Sequence, residues 1–360
     1  IEPLKEMFNK KFFEHFAAEI SKVDRSFKAK DFIEDALMKL DDLSLNQRMR
    51  NTSKLLKKYL SGDYTKNIDI LRKVITRTKA GYTNLVFPDF VSQFGLADFE
   101  TSLDALRYFT QFGSSEFAIR EFLKVDFDST IETMYQWSND SNYHVRRLAS
   151  EGSRPRLPWS FKLDEVIRNP AVTKPILETL KCDSEVYVRK SVANHLNDIS
   201  KENPDYMINL VRTWDQSNPH TAWIIKHANR TLIKRGNKES LSVFGYEKNP
   251  KIQLLNLTLN KKRIKLGKTL EFKFELRSEK STSQKLVVDY IVHYRKKSGE
   301  LLPKVFKLKD VNLKPNESLL FLKTQTFKDF TTRKHFGGKH LLEIQVNGKK
   351  FGKMEFDIVI

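Results

Sequence analysis

The 360-residue sequence is poor in residues that mark redox or metal chemistry, and it has a single cysteine, Cys182. One cysteine allows no intramolecular disulfide and no cysteine-based zinc cluster, which fits a reducing compartment. The eight histidines form no HExxH pair, and neither a GxxxxGK[ST] nor a GxGxxG motif occurs. The sequence therefore argues against a zinc enzyme, a nucleotide hydrolase and a dinucleotide-dependent enzyme, and we expect no metal and no cofactor.

Long apolar runs are missing as well. No stretch approaches the length of a membrane span, and residues 1–20 mix charged residues with phenylalanines, unlike a signal peptide. We therefore expect a protein that does not enter a membrane and that works in the cytoplasm.

Acidic residues are too few to balance the basic ones, 45 against 64, which leaves a formal net charge of +19. Residues 251–360 hold 25 basic and 11 acidic residues and so carry +14 of that surplus; Lys261-Lys262-Arg263 is one of their short basic runs. Such a surplus favours a polyanionic partner, either nucleic acid or an anionic membrane surface. With 39% hydrophobic and 11% aromatic residues, the chain is nevertheless typical of a folded protein.

A short motif recurs within the region up to about residue 245, where apolar residues have helical spacing. NYHVRR at 142–147 returns 43 residues later as EVYVRK at 185–190, and a weaker copy, AWIIK, covers 222–226. Ala-Asn pairs at 193–194 and 228–229 lie 35 residues apart. Periods of this length are typical of HEAT-like repeats, which stack into a solenoid with a concave face. An irregular helical bundle is the alternative.

After Pro250 the apolar pattern alternates, which is typical of strands. Strands are predicted at 254–259, 270–276, 286–292, 304–308, 318–324 and 341–346. Asn347-Gly348 predicts a hairpin turn into a last strand that ends at Ile360. The predicted fold is thus multidomain, with an α-helical HEAT-like repeat solenoid at 1–248 and an all-β immunoglobulin-like sandwich at 249–360.

The segment 143–159 reads YHVRRLASEGSRPRLPW. Together with the opening EPLKEMF and the later HANRTLIKRG, it resembles AlkC-type DNA alkylation repair glycosylases of the AlkC/AlkD HEAT-like repeat superfamily. The resemblance covers the whole chain and implies the form with a C-terminal immunoglobulin-like domain. It also implies base excision repair in the bacterial cytosol: hydrolysis of the N-glycosidic bond of 3-methyladenine, 3-methylcytosine or 1-methyladenine in double-stranded DNA by a monofunctional enzyme. An open solenoid that works on DNA predicts a monomer.

By this resemblance, the catalytic carboxylates are Glu116, Glu151 and Asp198. We expect them in the second helices of three successive repeats, where stacking brings them to one concave surface. The alternative is a set of solvated helix pairs, since Glu116 and Arg120 are four residues apart, as are Arg147 and Glu151. Glu151 separates the two hypotheses, because a scaffold that grips phosphate has little use for an anion inside a basic motif.

DNA-binding side chains are expected in or beside the repeated motifs. Pro155 and Pro158 stiffen the loop that presents Arg154 and Arg156, and Trp159 at its end either stacks on a sugar or base or packs in the repeat core. A non-catalytic HEAT-repeat scaffold for nucleic acid or protein is the alternative function. The predicted DNA-binding residues are Arg146, Arg147, Arg154, Arg156, Trp159, Arg189, Lys190, Trp223, His227 and Arg230.

Overall fold

A computed structural model describes residues 3–330 and 334–360, and the chain divides into two compact units. The first unit comprises Ile1–Tyr206 and Trp214–Ala228, and the second unit comprises Met207–Thr213 and Asn229–Ile360. The predicted boundary between residues 248 and 249 stays a prediction. Within the described ranges, no helix combines the length and the apolar character that crossing a membrane requires.

The first unit is built from helices, as the sequence predicts. They are α1 (Lys10–Val23), α2 (Ala29–Leu37), α3 (Leu45–Tyr59), α4 (Tyr64–Ile75), α5 (Val86–Phe94), α6 (Phe99–Phe109), α7 (Ala118–Val125), α8 (Phe127–Trp137), α9 (Tyr143–Gly152), α10 (Asp164–Arg168), α11 (Lys174–Leu180), α12 (Val186–Ile199), the start of α13 (Pro204–Arg212), and α14 (Pro219–Ala228). Short 3-10 helices cover Leu4–Met7, Leu40–Asp42, Tyr82–Leu85 and Pro170–Thr173. The three copies of the motif lie on α9, α12 and α14, and α12 packs against both of the others. The prediction of a HEAT-like repeat solenoid is confirmed.

The repeated helices begin and pack for reasons that are visible in the sequence. The side chain of Asn142 accepts a hydrogen bond from the backbone N–H of His144 at 2.9 Å and so caps the start of α9. Apolar residues three and four apart then form the buried faces of α9 and α12. These are Val145, Leu148 and Ala149 on α9, and Val188, Val192 and Leu196 on α12.

The first arginine of each complete motif, Arg146 and Arg189, has a structural role that explains the repeat. In both, Nη1 donates to the backbone carbonyls five and six residues earlier, at 2.9 and 3.0 Å for Arg146 and at 2.5 and 2.8 Å for Arg189. Arg146 also pairs with Asp183, at 2.7 Å between Nε and Oδ2. Both guanidinium groups therefore bind within the fold, and their predicted contact with DNA stays a prediction.

The second unit contains two sheets and the helices α15 (Arg230–Lys234) and α16 (Lys238–Val243), besides the end of α13. Its strands are β1 (Ile252–Leu259), β2 (Arg263–Lys265), β3 (Thr269–Ser278), β4 (Gln284–Arg295), β5 (Leu301–Leu313), β6 (Ser318–Thr326), β7 (Gly338–Val346) and β8 (Lys349–Val359). One sheet has the order β1-β3-β6 and the other β2-β8-β7-β4-β5; only β2 and β8 are parallel among these neighbours. Six predicted strands lie within observed ones, the last predicted strand ends one residue beyond β8, and the short β2 was not predicted.

The two sheets share one apolar core, as a sandwich requires. The ring of Phe272 on β3 lies 5.1 Å from that of Tyr290 on β4, between centroids. Asn347 and Gly348 connect β7 to β8 with φ of 47° and 79°, the left-handed conformation that a two-residue hairpin turn needs. The predicted hairpin and the immunoglobulin-like sandwich are both confirmed.

Candidate active site

Glu116 lies in the turn that precedes α7, so the expectation that all three carboxylates occupy repeat helices is wrong for this residue. The reason is local. The hydroxyl of Ser115 donates to the backbone carbonyl of Leu106 at 2.9 Å, which holds the chain against the end of α6. The chain becomes helical only at Ala118, and Glu116 is presented from a turn.

Glu151 and Asp198 lie where they were expected, at the C-terminal ends of the neighbouring helices α9 and α12. Their exposed fractions are only 6% and 3%. His195 links the two helices through a 3.0 Å hydrogen bond between Nδ1 and the carbonyl oxygen of Ser150. Burial lowers the pKa of His195 to about 3, so the ring is neutral near pH 7. Because a carbonyl can only accept, the proton of the neutral ring lies on Nδ1.

Two arginines join the three carboxylates into one network of ion pairs. Arg147 Nη1 lies 2.8 Å from Glu116 Oε2, and Arg147 Nη2 lies 3.5 Å from Glu151 Oε1. Arg154 Nη1 lies 2.6 Å from the same oxygen of Glu151. The other side of the Arg154 guanidinium contacts Asp198 Oδ2, at 2.8 Å from Nε and 2.7 Å from Nη2. Carboxylates from three separate segments are thus held by two shared cations.

The network is buried, which makes its charges interact more strongly than exposed pairs do. Burial alone would lower the pKa of Arg147, but the charges of Glu116 and Glu151 outweigh that effect and raise it. Asp198 uses both oxygens, since Lys201 Nζ contacts Oδ1 at 2.8 Å. Glu116 and Glu151 each use only one oxygen in these pairs, so each has a second carboxylate oxygen outside them.

Arg120 does not make the helix pair with Glu116 that was considered as an alternative. It is fully buried, and its Nη1 donates to the carbonyl oxygens of Gly152 at 3.0 Å and Arg154 at 2.8 Å, while Nη2 donates to that of Phe161. Burial lowers the pKa of Arg120 to about 10, which still leaves it charged near neutral pH. Arg120 therefore holds both ends of the loop 153–161 that carries Arg154.

Trp159 stands out of this loop into solvent. Its exposed fraction is 77%, so the alternative that it packs in the repeat core is wrong. Its φ is 65°, a left-handed conformation that costs a residue with a bulky side chain about 1–2 kcal/mol. Leu157 anchors the same loop by being buried. Because backbone strain often occurs at functional sites, the exposed ring of Trp159 is a candidate for ligand contact.

In each copy of the motif an aromatic ring directly precedes the recurring apolar residue: these rings are His144, Tyr187 and Trp223. The Tyr187 ring lies 5.8 Å from that of His144, and the Arg147 guanidinium lies over it at 4.8 Å from the centroid. Trp223 stacks on His227 at 3.7 Å between centroids. Tyr187 was missed by sequence reasoning, although its place in the repeat could have identified it.

Three further predicted DNA-binding residues are Arg156, Lys190 and Arg230. Arg156 pairs with Glu202, Lys190 is exposed on α12, and Arg230, which belongs to the second unit, is exposed at the start of α15. Sequence reasoning also missed Arg120, His195, Lys201 and Ser114, whose hydroxyl accepts from Arg147 Nη1 at 2.7 Å. Their side chains contact partners that are distant in sequence or, for Lys201, three residues earlier in the chain.

Three similarities to known proteins accompany this geometry. The family model for the C-terminal Ig-like domain of uncharacterised protein YhaZ matches residues 253–360. Over 358 residues the chain is 41% identical to the uncharacterized protein YhaZ of Bacillus subtilis (strain 168), covering 99% of each. It is 44% identical to the Pseudomonas fluorescens alkylpurine DNA glycosylase AlkC, whose structure is bound to DNA containing an abasic site analog; the TM-score is 0.96 and each chain is covered completely.

Proposed function

Because the chain belongs to the AlkC family, we propose that it is a monofunctional DNA glycosylase that hydrolyses the N-glycosidic bond of cationic alkylated bases in double-stranded DNA. The substrates we propose are 3-methyladenine, 3-methylcytosine and 1-methyladenine. The enzyme acts in base excision repair, as a monomer in the cytosol, with the helical unit as its catalytic part. The observation that carries the proposal is the network in which Glu116, Glu151 and Asp198 share Arg147 and Arg154.

The reaction requires stabilisation of positive charge on the sugar. A base that alkylation has made cationic leaves with the electron pair of the glycosidic bond and becomes neutral, so no acid has to protonate it. The sugar then takes on oxocarbenium character, which a nearby carboxylate stabilises, as in glycoside hydrolases. Water adds to C1′, and its proton passes to a carboxylate or to solvent, which leaves an abasic site.

The ion pairs support different proposed roles for the three carboxylates. Glu151 and Glu116 each have an oxygen outside the pairs, so we propose that Glu151 stabilises the sugar cation and that Glu116 orients the water. Both carboxylate oxygens of Asp198 contact basic side chains, Oδ2 that of Arg154 and Oδ1 that of Lys201, so we propose that Asp198 positions Arg154. Because the arginines hold the carboxylates before substrate arrives, little reorganisation is left for the chemical step.

Contacts with DNA are proposed from the exposed residues around this centre. Trp159 offers an apolar face for a sugar or base, and Lys190 offers charge for phosphate. The basic surplus of 251–360 adds attraction that does not depend on sequence. The negative carboxylates favour a cationic base over an ordinary one, which gives a source of selectivity for damage.

The direct test incubates the purified chain with duplex oligonucleotides that each carry one defined methylated base, followed by detection of abasic sites. We expect abasic sites at 3-methyladenine and none at unmodified adenine. The absence of abasic sites on all three cationic lesions, with the protein folded and bound to DNA, would leave the non-catalytic scaffold as the better account.

Glu151→Gln tests the catalytic assignment, because it removes the charge and keeps the shape. The single-turnover excision rate should fall by about 10² or more, while folding and DNA binding persist. Glu116→Gln and Asp198→Asn should show smaller losses. The matched control is Glu132→Gln, an exposed position on α8 that should leave the rate unchanged. A normal rate in folded, DNA-bound Glu151→Gln would reject the assignment.

A further inference from the structure

A cavity in the first unit lies beside the ion-pair network. It has a volume of about 520 Å³ and is bordered by α3, α5, the 3-10 helix Tyr82–Leu85, the start of α7 and the loop 153–161. This volume is in the range of small-molecule sites, roughly 300–1,000 Å³. Four aromatic side chains line it: Tyr82, Phe117, Trp159 and Phe161.

The cavity and the network share a wall. Ser114 lines the cavity, and its hydroxyl accepts a hydrogen bond from Arg147 Nη1 at 2.7 Å. The same nitrogen lies 2.8 Å from Glu116 Oε2. Trp159 belongs to the loop that also carries Arg154. A group released at the carboxylates is therefore close to the cavity.

Acidic groups dominate the charge of the cavity. Asp89 is buried on its wall, where Oδ1 contacts Arg50 Nη2 at 2.9 Å and Oδ2 accepts from Gln93 Nε2 at 2.6 Å. Burial raises the pKa of the Asp89 carboxyl. Glu121 adds a second carboxylate to the lining, against the single guanidinium of Arg50. Two carboxylates and one cation disfavour a phosphate, so the DNA backbone is a poor occupant.

We propose that this cavity binds the excised base: a flat, uncharged or weakly basic nitrogen heterocycle that leaves the carboxylate network and is held between Trp159, Phe161 and Asp89. The inference rests on the proposed glycosylase function and adds a product site to it. Aromatic side chains stack on either face of a nucleobase regardless of its sequence identity. Each Asp89 carboxylate oxygen has a partner and can accept a further hydrogen bond. The Ser92 hydroxyl, which also lines the cavity and donates to the Asp89 backbone carbonyl at 2.9 Å, can accept one as well, so both groups suit the N–H groups of the base.

The test is isothermal titration calorimetry of the full chain with free 3-methyladenine, alongside the excision assay on the same preparation. We expect saturable one-to-one binding. Asp89→Asn and Glu121→Gln should each weaken this binding by about tenfold, because each replaces a carboxylate of the cavity lining, a charged acceptor for N–H groups of the base, with a neutral amide. Glu132→Gln on α8 is the matched control and should bind like the unaltered chain. Circular dichroism melts of each variant check folding, and Glu121→Gln, with its partly exposed side chain, serves if Asp89→Asn fails to fold.

Each outcome separates the product site from the proposed function. Excision without saturable binding of the free base would overturn the product site and leave the glycosylase proposal standing. Binding that neither Asp89→Asn nor Glu121→Gln weakens would place the base elsewhere and overturn the assignment. Binding of 2′-deoxyadenosine as tight as that of free 3-methyladenine would show that the cavity takes a base still on its sugar, which also overturns the product site. The loss of both excision and binding would overturn both proposals.

Discussion

Charge is used in opposite ways in two regions of this chain. At the carboxylate network, Glu151, Arg154 and Asp198 are buried and paired within 3 Å. In residues 251–360 a surplus of +14 includes Lys261 and Lys262, which are exposed. Buried pairs are screened little by salt and keep a fixed geometry, whereas exposed charges lose most of their influence beyond about 8–10 Å at physiological ionic strength. The first arrangement suits catalysis, and the second suits attraction to a polyanion.

Of the substitutions that test this contrast, Arg154→Ala is expected to have the largest effect on stability and on excision. It leaves Glu151 and Asp198 buried without their shared cation, which should lower the free energy of unfolding by about 3–5 kcal/mol. Excision should fall as well, because the carboxylates lose their fixed positions. Urea unfolding and single-turnover kinetics measure the two effects.

Arg156→Ala is the matched control for Arg154→Ala, since Arg156 pairs with Glu202 nearer the surface and should cost less than about 1 kcal/mol. The alternative role of Arg154, a direct phosphate contact, makes a different prediction: the dependence of log Kd on log salt would lose a slope of about 1. An intact rate and stability with a smaller salt slope would contradict the positioning role and support the phosphate contact.

The next largest effect concerns His195 and pH. The unfolded chain binds a proton at this histidine near pH 6.5, while the folded chain does so only near pH 3. Above pH 6.5, His195 therefore does not reduce the free energy of unfolding. Below pH 6.5, it lowers the free energy of unfolding by about 1.4 kcal/mol for each pH unit. His195→Gln, which keeps a donor for the Ser150 carbonyl, should remove this dependence. Urea unfolding at about pH 7.5 and about pH 5.5 tests it; equal pH dependence in the two proteins would show that His195 does not stay neutral on folding.

The smallest effect is expected in the basic region. Replacing Lys261 and Lys262 with glutamine should leave the excision rate of DNA-bound enzyme unchanged and reduce the salt slope of binding by about 1 for each phosphate contact that is lost. Lys57→Gln, at an exposed position on α3, is the control. Binding measured by fluorescence anisotropy at several salt concentrations gives the slope, and an unchanged slope would remove this basic run from the DNA contacts.

The sequence predicted those parts of the structure that depend on local pattern. The alternation after Pro250 located six of the strands, and Asn347-Gly348 located the turn into a seventh, because a left-handed pair of residues has few other uses. The three-residue β2 was missed because so short a segment shows no period. The motif copies located α9, α12 and α14 because each copy occupies the same place in its repeat.

The candidate site was only half predictable. The resemblance identified all three carboxylates, and the repeat located Glu151 and Asp198 on helices, but Glu116 lies in a turn that no periodicity describes. The partners of Arg120 and Arg154 lie mostly 32 to 44 residues away, so their roles depend on tertiary packing. A basic residue beside a motif predicts phosphate binding equally well whether it faces solvent or a buried carboxylate. Only the burial of the side chain in the folded protein distinguishes these two roles, and the burial cannot be read from the composition of the sequence.

The shared arginines also affect how the helical stack opens. In a repeat protein each unit contacts only its neighbours, so adjacent units can unfold separately and exchange their amide hydrogens at different rates. Here the turn before α7, the end of α9 and the end of α12 hold one another through Arg147 and Arg154. The opening of any one segment leaves unpaired charges in the others. The network therefore makes these segments a single cooperative unit, and its most protected amides should exchange through one common opening.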